Sequence, residues 1–98
     1  MPYFIETYDD PERAHIRQEV YQEHLDFLEA VAPKLLACGA KLDDEGVKAS
    51  GGVYLVDVDT SAQAEELIQQ DPFYIHGLFS NVEITRWRKA YLDGKKFI

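Results

Sequence analysis

Disulfide chemistry is closed to this chain, because its single cysteine, Cys38, has no partner for an internal bridge. Basic charge is scarce too. Ten lysines and arginines stand against eighteen aspartates and glutamates, a formal net charge of −8. That balance opposes general affinity for nucleic acid or for an anionic membrane. No apolar stretch is longer than a strand, so no membrane span is expected. The opening MPYFIETYDD lacks the basic start and the apolar length of a secretory signal, which makes the cytoplasm the expected location. Repeats, low-complexity tracts and linkers are missing as well.

Several chemical signatures are also absent. There is no H-x-x-x-H, no C-x-x-C and no cluster of carboxylates with histidines, so no metal site is expected. Gly51-Gly52 is followed by no helix and so makes no phosphate loop; it reads as a turn into the next strand. No G-x-S-x-G element supplies a serine nucleophile. Cys38, with no cationic neighbour in sequence, reads as a small buried or half-buried hydrophobe rather than a reactive thiol. No cofactor is expected.

What remains is a chain of 98 residues, 46% hydrophobic and 29% charged, which suits one globular domain over 1–98. Tyr3 to Tyr8 reads as a first strand. Asp10 caps a helix that begins at Pro11. Apolar residues at Ile16, Val20, Phe27, Val31 and Leu35 form a helical stripe that Pro33 kinks and Gly39 ends. Ala40 to Leu42 and Val47 to Ala49 suggest a hairpin arm about the acidic turn Asp43-Asp44-Glu45-Gly46. Val53 to Val58 is a strand, Thr60-x-x-Gln63 is a capping box opening a second helix to about Gln70, and Val82 to Tyr91 is a last strand. The order β-α-β-β-α-β gives an α+β, ferredoxin-like fold: a four-stranded antiparallel sheet with both helices on one face. The other face keeps aromatic and apolar side chains, which predicts a homodimer packed through the sheet.

His24 interrupts the apolar stripe of the long helix. Ile16, Val20, His24, Phe27 and Val31 share roughly one quarter of its circumference, so the imidazole points toward the sheet. Arg17 lies two turns earlier on nearly the same line, flanked by Tyr21. A buried histidine needs partners for its ring nitrogens. Two readings fit the pattern: a core histidine tied to a backbone carbonyl, or an imidazole held by a carboxylate with its second nitrogen turned to a ligand. Asp71 is the best candidate carboxylate, although Asp before Pro is also an ordinary helix cap. His15 falls on the opposite side of the helix, and His76 is expected at the surface.

The residues Arg17-x-x-x-Tyr21-x-x-His24-Leu25-x-x-Leu28, Gly52 before an apolar strand, Ala64, Asp71-Pro72-Phe73, Gly77-Leu78 and Val82-x-Ile84-x-x-Trp87 resemble the YCII-related family across nearly the whole chain. The resemblance implies a ferredoxin-like fold paired into a dimeric α+β barrel. It also implies a histidine–aspartate pair in a small pocket, here His24 and Asp71, with Arg17 matching the family arginine. One branch of that family resembles a dehydrochlorinase of chlorinated hydroxyquinols. The expectation is a cofactor-independent lyase or isomerase acting on a small organic substrate. His24 and Asp71 would be its acid–base pair, and Arg17, Tyr21 and Ser50 would contact substrate; Arg17 or Tyr21 would bind an enolate or carboxylate oxygen. The alternative is a non-catalytic small-molecule-binding or accessory dimer.

Overall fold

The computed structural model describes residues 2–98. Strand β1 (Tyr3–Asp9) leads through a 3₁₀ turn at Pro11–Arg13 to helices α1 (His15–Glu19) and α2 (Tyr21–Val31). Strands β2 (Leu35–Leu42) and β3 (Ala49–Val56), helices α3 (Ser61–Gln69) and α4 (Pro72–Ile75), and strand β4 (Phe79–Arg86) follow. The strands lie in the order β2-β3-β1-β4, with every neighbouring pair antiparallel. The fold is therefore the expected ferredoxin-like α+β arrangement.

Local chemistry explains where the helices begin. Asp10 accepts the Glu12 N–H while Pro11 fills the first helical position, which needs no donor. Thr60 and Gln63 cap each other's backbone N–H groups at the start of α3. One face of the sheet then buries Ile5, Tyr54 and Val56 against Ala64, Leu67 and Ile68 of α3, with Phe27 and Leu28 of α2 packed alongside. A second cluster joins Ile16 and Val20 to Phe73 and Leu78. The alternate positions Phe4, Glu6, Tyr8, Val53 and Leu55 are only half-buried. Among the described residues no helix is long and apolar enough to cross a membrane.

Four boundaries differ from the sequence expectation. The long helix does not run to Gly39: it breaks at Val20 (φ −111°) and ends at Val31, and residues 32–34 form a 3₁₀ turn. Pro33 lacks the N–H that another turn would need and disfavours helix at the residue before it. The spacing from Val31 to Leu35 matches the helical stripe only by coincidence, for Leu35 opens β2. Cys38 is accordingly a strand residue, and an exposed one, not a buried helical hydrophobe. The hairpin about residues 43–46 forms as expected, with the Asp43 N–H donating to the Lys48 carbonyl. The last strand stops at Arg86 because β1 has ended opposite it, and the Trp87 N–H is taken by the Pro2 carbonyl. Tyr91 belongs instead to a small separate hairpin, β5 (Tyr91–Leu92) with β6 (Lys95–Lys96), turned at Asp93-Gly94 with φ of 52° and 76°.

Gly51-Gly52 is the fourth. Both residues lie inside β3, not in a turn. A Cβ at Gly51 would stand 1.9 Å from the Thr7 carbonyl oxygen of the neighbouring strand, so only glycine admits this approach. Gly51→Ala is expected to force β1 and β3 apart at a cost of about 1–3 kcal/mol. A thermal melt should then show Tm lower by at least about 4 °C; an unchanged Tm would mean that the strands have room to spare.

Candidate active site

The junction of α3 and α4 delivers a carboxylate into the protein interior. Asp71 adopts an extended backbone, ends α3 and caps α4, its Oδ1 accepting the Phe73 N–H at 2.9 Å. Pro72 fits the first position of the new helix and turns the chain there. The carboxylate is fully buried. It is also the meeting point of residues far apart in sequence: Tyr54 Oη donates to Oδ2 at 2.7 Å, and His24 Nδ1 lies 2.9 Å from Oδ1 and 3.0 Å from Oδ2. One side chain thus caps α4 and lies within hydrogen-bond distance of His24.

An ionised carboxylate is acceptor-only. Its contact with Nδ1 therefore assigns the imidazole proton to that nitrogen. Nε2 has no hydrogen-bond partner, and no buried side-chain nitrogen or oxygen among the described residues lacks one, so Nε2 reaches open space. The imidazole plane is fixed by stacking on Phe73, with centroids 4.0 Å apart and 14° between planes. Burial, the Asp71 charge and the hydrogen bond to it push the Tyr54 hydroxyl far above the usual phenol range, which keeps it a donor.

His24 borders a hollow of about 220 Å³ between the helices and the sheet. Arg17, Tyr21, Leu25 and Leu28 line it from the helices, and Cys38 and Ala40 from β2. Arg17 is fixed by Asp9: Nε donates to Oδ2 at 2.8 Å and Nη2 to Oδ1 at 3.0 Å. Its guanidinium carbon also sits 4.8 Å from the centre of the Phe73 ring. The structure thus brings His24, Asp71, Arg17 and Tyr21 together. It does not bring Ser50 to His24, Asp71 or Tyr21: that residue lines a neighbouring hollow of about 430 Å³, which shares only Arg17 with the first. Ser50 has the same parity as Gly52 and Tyr54, but it lies further along β3, where the pairing with β2 shifts register between Lys41 and Leu42, and it lines the neighbouring hollow instead. His15 and His76 are exposed, and His76 Nε2 stands 3.7 Å from Glu23.

Sequence reasoning overlooked three participants. Tyr54 lies in the strand read over Val53 to Val58 without being singled out, though a hydroxyl on a core strand asks for an acceptor. Asp9 ends β1 on a charge, yet nothing local pointed it to Arg17. Phe73 entered only as part of a family pattern, and its stacking on His24 follows from α4 lying against α2.

Fold and hollow together define a ferredoxin-like α+β protein with a ligand-sized cleft between its helices and its sheet. The YCII-related domain model matches residues 1–88, and the chain belongs to that family. No curated protein matches it. Among solved structures it is similar to 5-chloro-2-hydroxyhydroquinone dehydrochlorinase (TftG) from Burkholderia phenoliruptrix AC1100, which was captured with 2,5-dihydroxybenzoquinone. That likeness has a TM-score of 0.79 and 24% identity, over 90% of this chain and 94% of the other. A protein of unknown function from Nitrosomonas europaea aligns with TM-score 0.53 and 15% identity, over 93% and 91% of the two chains. A protein from Agrobacterium tumefaciens aligns with TM-score 0.54 and 11% identity, over 95% and 98%. At these identities the likenesses establish the fold.

Cys38 opens onto the hollow, but the surrounding protein and the Asp71 charge push its thiol up to about 11. Thiolate is the reactive form. Alkylation by iodoacetamide at pH 8 is therefore expected to be on the order of a hundredfold slower than for an ordinary thiol near 8.5. The rate should still climb between pH 9.5 and 11, where an ordinary thiol has levelled off; a plateau by pH 9.5, read by mass spectrometry, would count against this environment.

Proposed function

We propose that the protein is a cofactor-independent enzyme of the lyase or isomerase kind, moving protons on a small hydroxylated or carbonyl-bearing ring. One observation carries the reading. His24 Nδ1 is within hydrogen-bond reach of a fully buried carboxylate, while Nε2 faces a hollow of about 220 Å³. In this reading Nε2 is the general base and acid. Asp71 fixes the tautomer and balances the imidazolium that forms. Arg17 and Tyr21 bind the oxygen on which charge develops.

Loss of HCl from a chlorinated hydroxyquinol illustrates the fit. A hydroxyl proton is moved to the chlorine-bearing ring carbon, giving a keto tautomer. A second hydroxyl proton is then removed as chloride departs, leaving a hydroxyquinone and HCl. Nothing is oxidised by an outside reagent, and one imidazole that takes and returns protons serves both steps. The dehydrochlorinase from Burkholderia phenoliruptrix AC1100, captured with a dihydroxybenzoquinone, supports the substrate class. General acid–base catalysis contributes roughly 10²–10⁴-fold, enough for an elimination or tautomerisation.

The test is chloride release from 5-chloro-2-hydroxyhydroquinone by the full chain and by His24→Ala. The wild-type protein is expected to accelerate release, and the variant to lose about 10²–10⁴ of kcat/KM. Release that His24→Ala leaves unchanged would remove this mechanism and favour a purely binding role for the hollow.

The half-buried sheet positions Phe4, Tyr8, Val53 and Leu55 support a second assignment, that two copies of the chain pair through this face. Sedimentation at micromolar concentration should give twice the chain mass of 11.2 kDa; a monomer there would refute the pairing.

A further inference from the structure

Arg17 is the one strongly basic group on the His24 hollow, and its charge is already balanced. Both Nε and Nη2 donate to the two oxygens of Asp9, and only 6% of the Asp9 side chain is exposed. This bidentate fork is the geometry with which arginine receives a carboxylate ligand. Here the protein's own carboxylate occupies it, arriving from the adjoining hollow that Arg17 also borders. The remaining donors, two on Nη1 and the second on Nη2, are free of hydrogen-bond partners among the described residues and suit a neutral acceptor.

The rest of the hollow adds no positive charge. The imidazole is already engaged by the Asp71 carboxylate, Nδ1 standing 2.9 Å from Oδ1. Tyr54 stays a neutral donor, and the Cys38 thiol is held protonated. Lys48 opens into the neighbouring hollow, not this one. A carboxylate entering beside His24 would therefore find the guanidinium and the imidazole each already holding a carboxylate of the protein, and would lose its hydration shell for little return. Size narrows the ligand further. A cavity of about 150 Å³ holds benzene, so about 220 Å³ admits one substituted six-membered ring.

We propose that Asp9 is a specificity-determining residue: by closing the ion pair with Arg17, it makes the hollow accept a single ring with uncharged oxygen substituents and refuse a ring carboxylate. The inference rests on the reading of this hollow as a small-molecule site and states which molecules it takes. Asp9 acts through Arg17 and is a positioning residue, not a catalytic one. Removing its charge would leave a half-buried guanidinium without its anion.

Benzamide and benzoate are near-isosteric and differ in charge, which makes them suitable probes. Each is titrated into the full chain at pH 7, and binding is read from the His24 ring resonances, so that occupation of the neighbouring hollow does not count. The wild-type protein should bind benzamide at least tenfold more tightly than benzoate. Asp9→Asn should raise benzoate affinity at least tenfold while benzamide stays within about twofold. The double variant Asp9→Asn with Arg17→Gln, which leaves no unpaired charge, should lose that gain. Wild-type protein that binds benzoate as tightly as benzamide overturns the inference, and this arm decides the matter if Asp9→Asn does not fold. A benzoate-to-benzamide ratio unmoved by Asp9→Asn overturns it as well. If neither probe shifts the His24 resonances, the small-molecule reading of the hollow falls, and the inference falls with it.

Discussion

Everything near the cleft hangs on one buried carboxylate. Asp71 stops α3, starts α4, receives the Tyr54 hydroxyl from the central sheet and holds the imidazole from α2. Three donors converge on it, and no solvent reaches it. A buried carboxylate missing one of these donors would carry a large desolvation penalty. The energetic demand of folding and the orientation of His24 are therefore met by the same hydrogen bonds. The imidazole is held from below by the carboxylate and from the side by Phe73, which leaves Nε2 the ring atom with freedom to interact.

Charge is treated similarly on the other side of the cleft. Arg17 leans on Phe73 and is neutralised by Asp9, so a single aromatic ring supports both the imidazole and the guanidinium. The acidic excess of the chain does not dominate the hollow, because each carboxylate that reaches it is matched with a cation or a donor. Acidic groups elsewhere take structural parts: Asp43, in the hairpin turn, accepts the Val47 and Lys48 N–H groups.

The sequence carried the fold class plainly. Strong local signals, such as the Thr60–Gln63 box and the Asp10-Pro11 and Asp71-Pro72 starts, set the helix beginnings, and β-branched and aromatic runs set the strands. Ends were less legible. Whether β4 stops at Arg86 depends on the length of β1 beside it, and the fate of residues 35–39 depends on an edge of the sheet, neither of which is a local property. The same division holds at the cleft. The inward phase of His24 and the pairing of Arg17 and Tyr21 with it were readable from helix geometry, and Asp71 was readable as a cap. That the cap also reaches His24, 47 residues away, required the helices to pack. The Asp9–Arg17 pair and the Tyr54 donor were hidden for the same reason, since strand residues reveal their partners only once register is set. Ser50, expected to contact substrate, lies past the register shift between β2 and β3 and lines the adjoining hollow, a displacement that no local signal around Gly51-Gly52 announces.

The break at Val20 has a consequence for how such a protein diversifies. Arg17 rides on the five-residue α1, whereas His24 belongs to α2, which is packed on the sheet. The imidazole and the guanidinium are thus mounted on separate segments. Changes in α1 or in the turn before it can widen or narrow the gap between them, and so reshape the hollow, while the imidazole keeps its footing on Asp71 and Phe73.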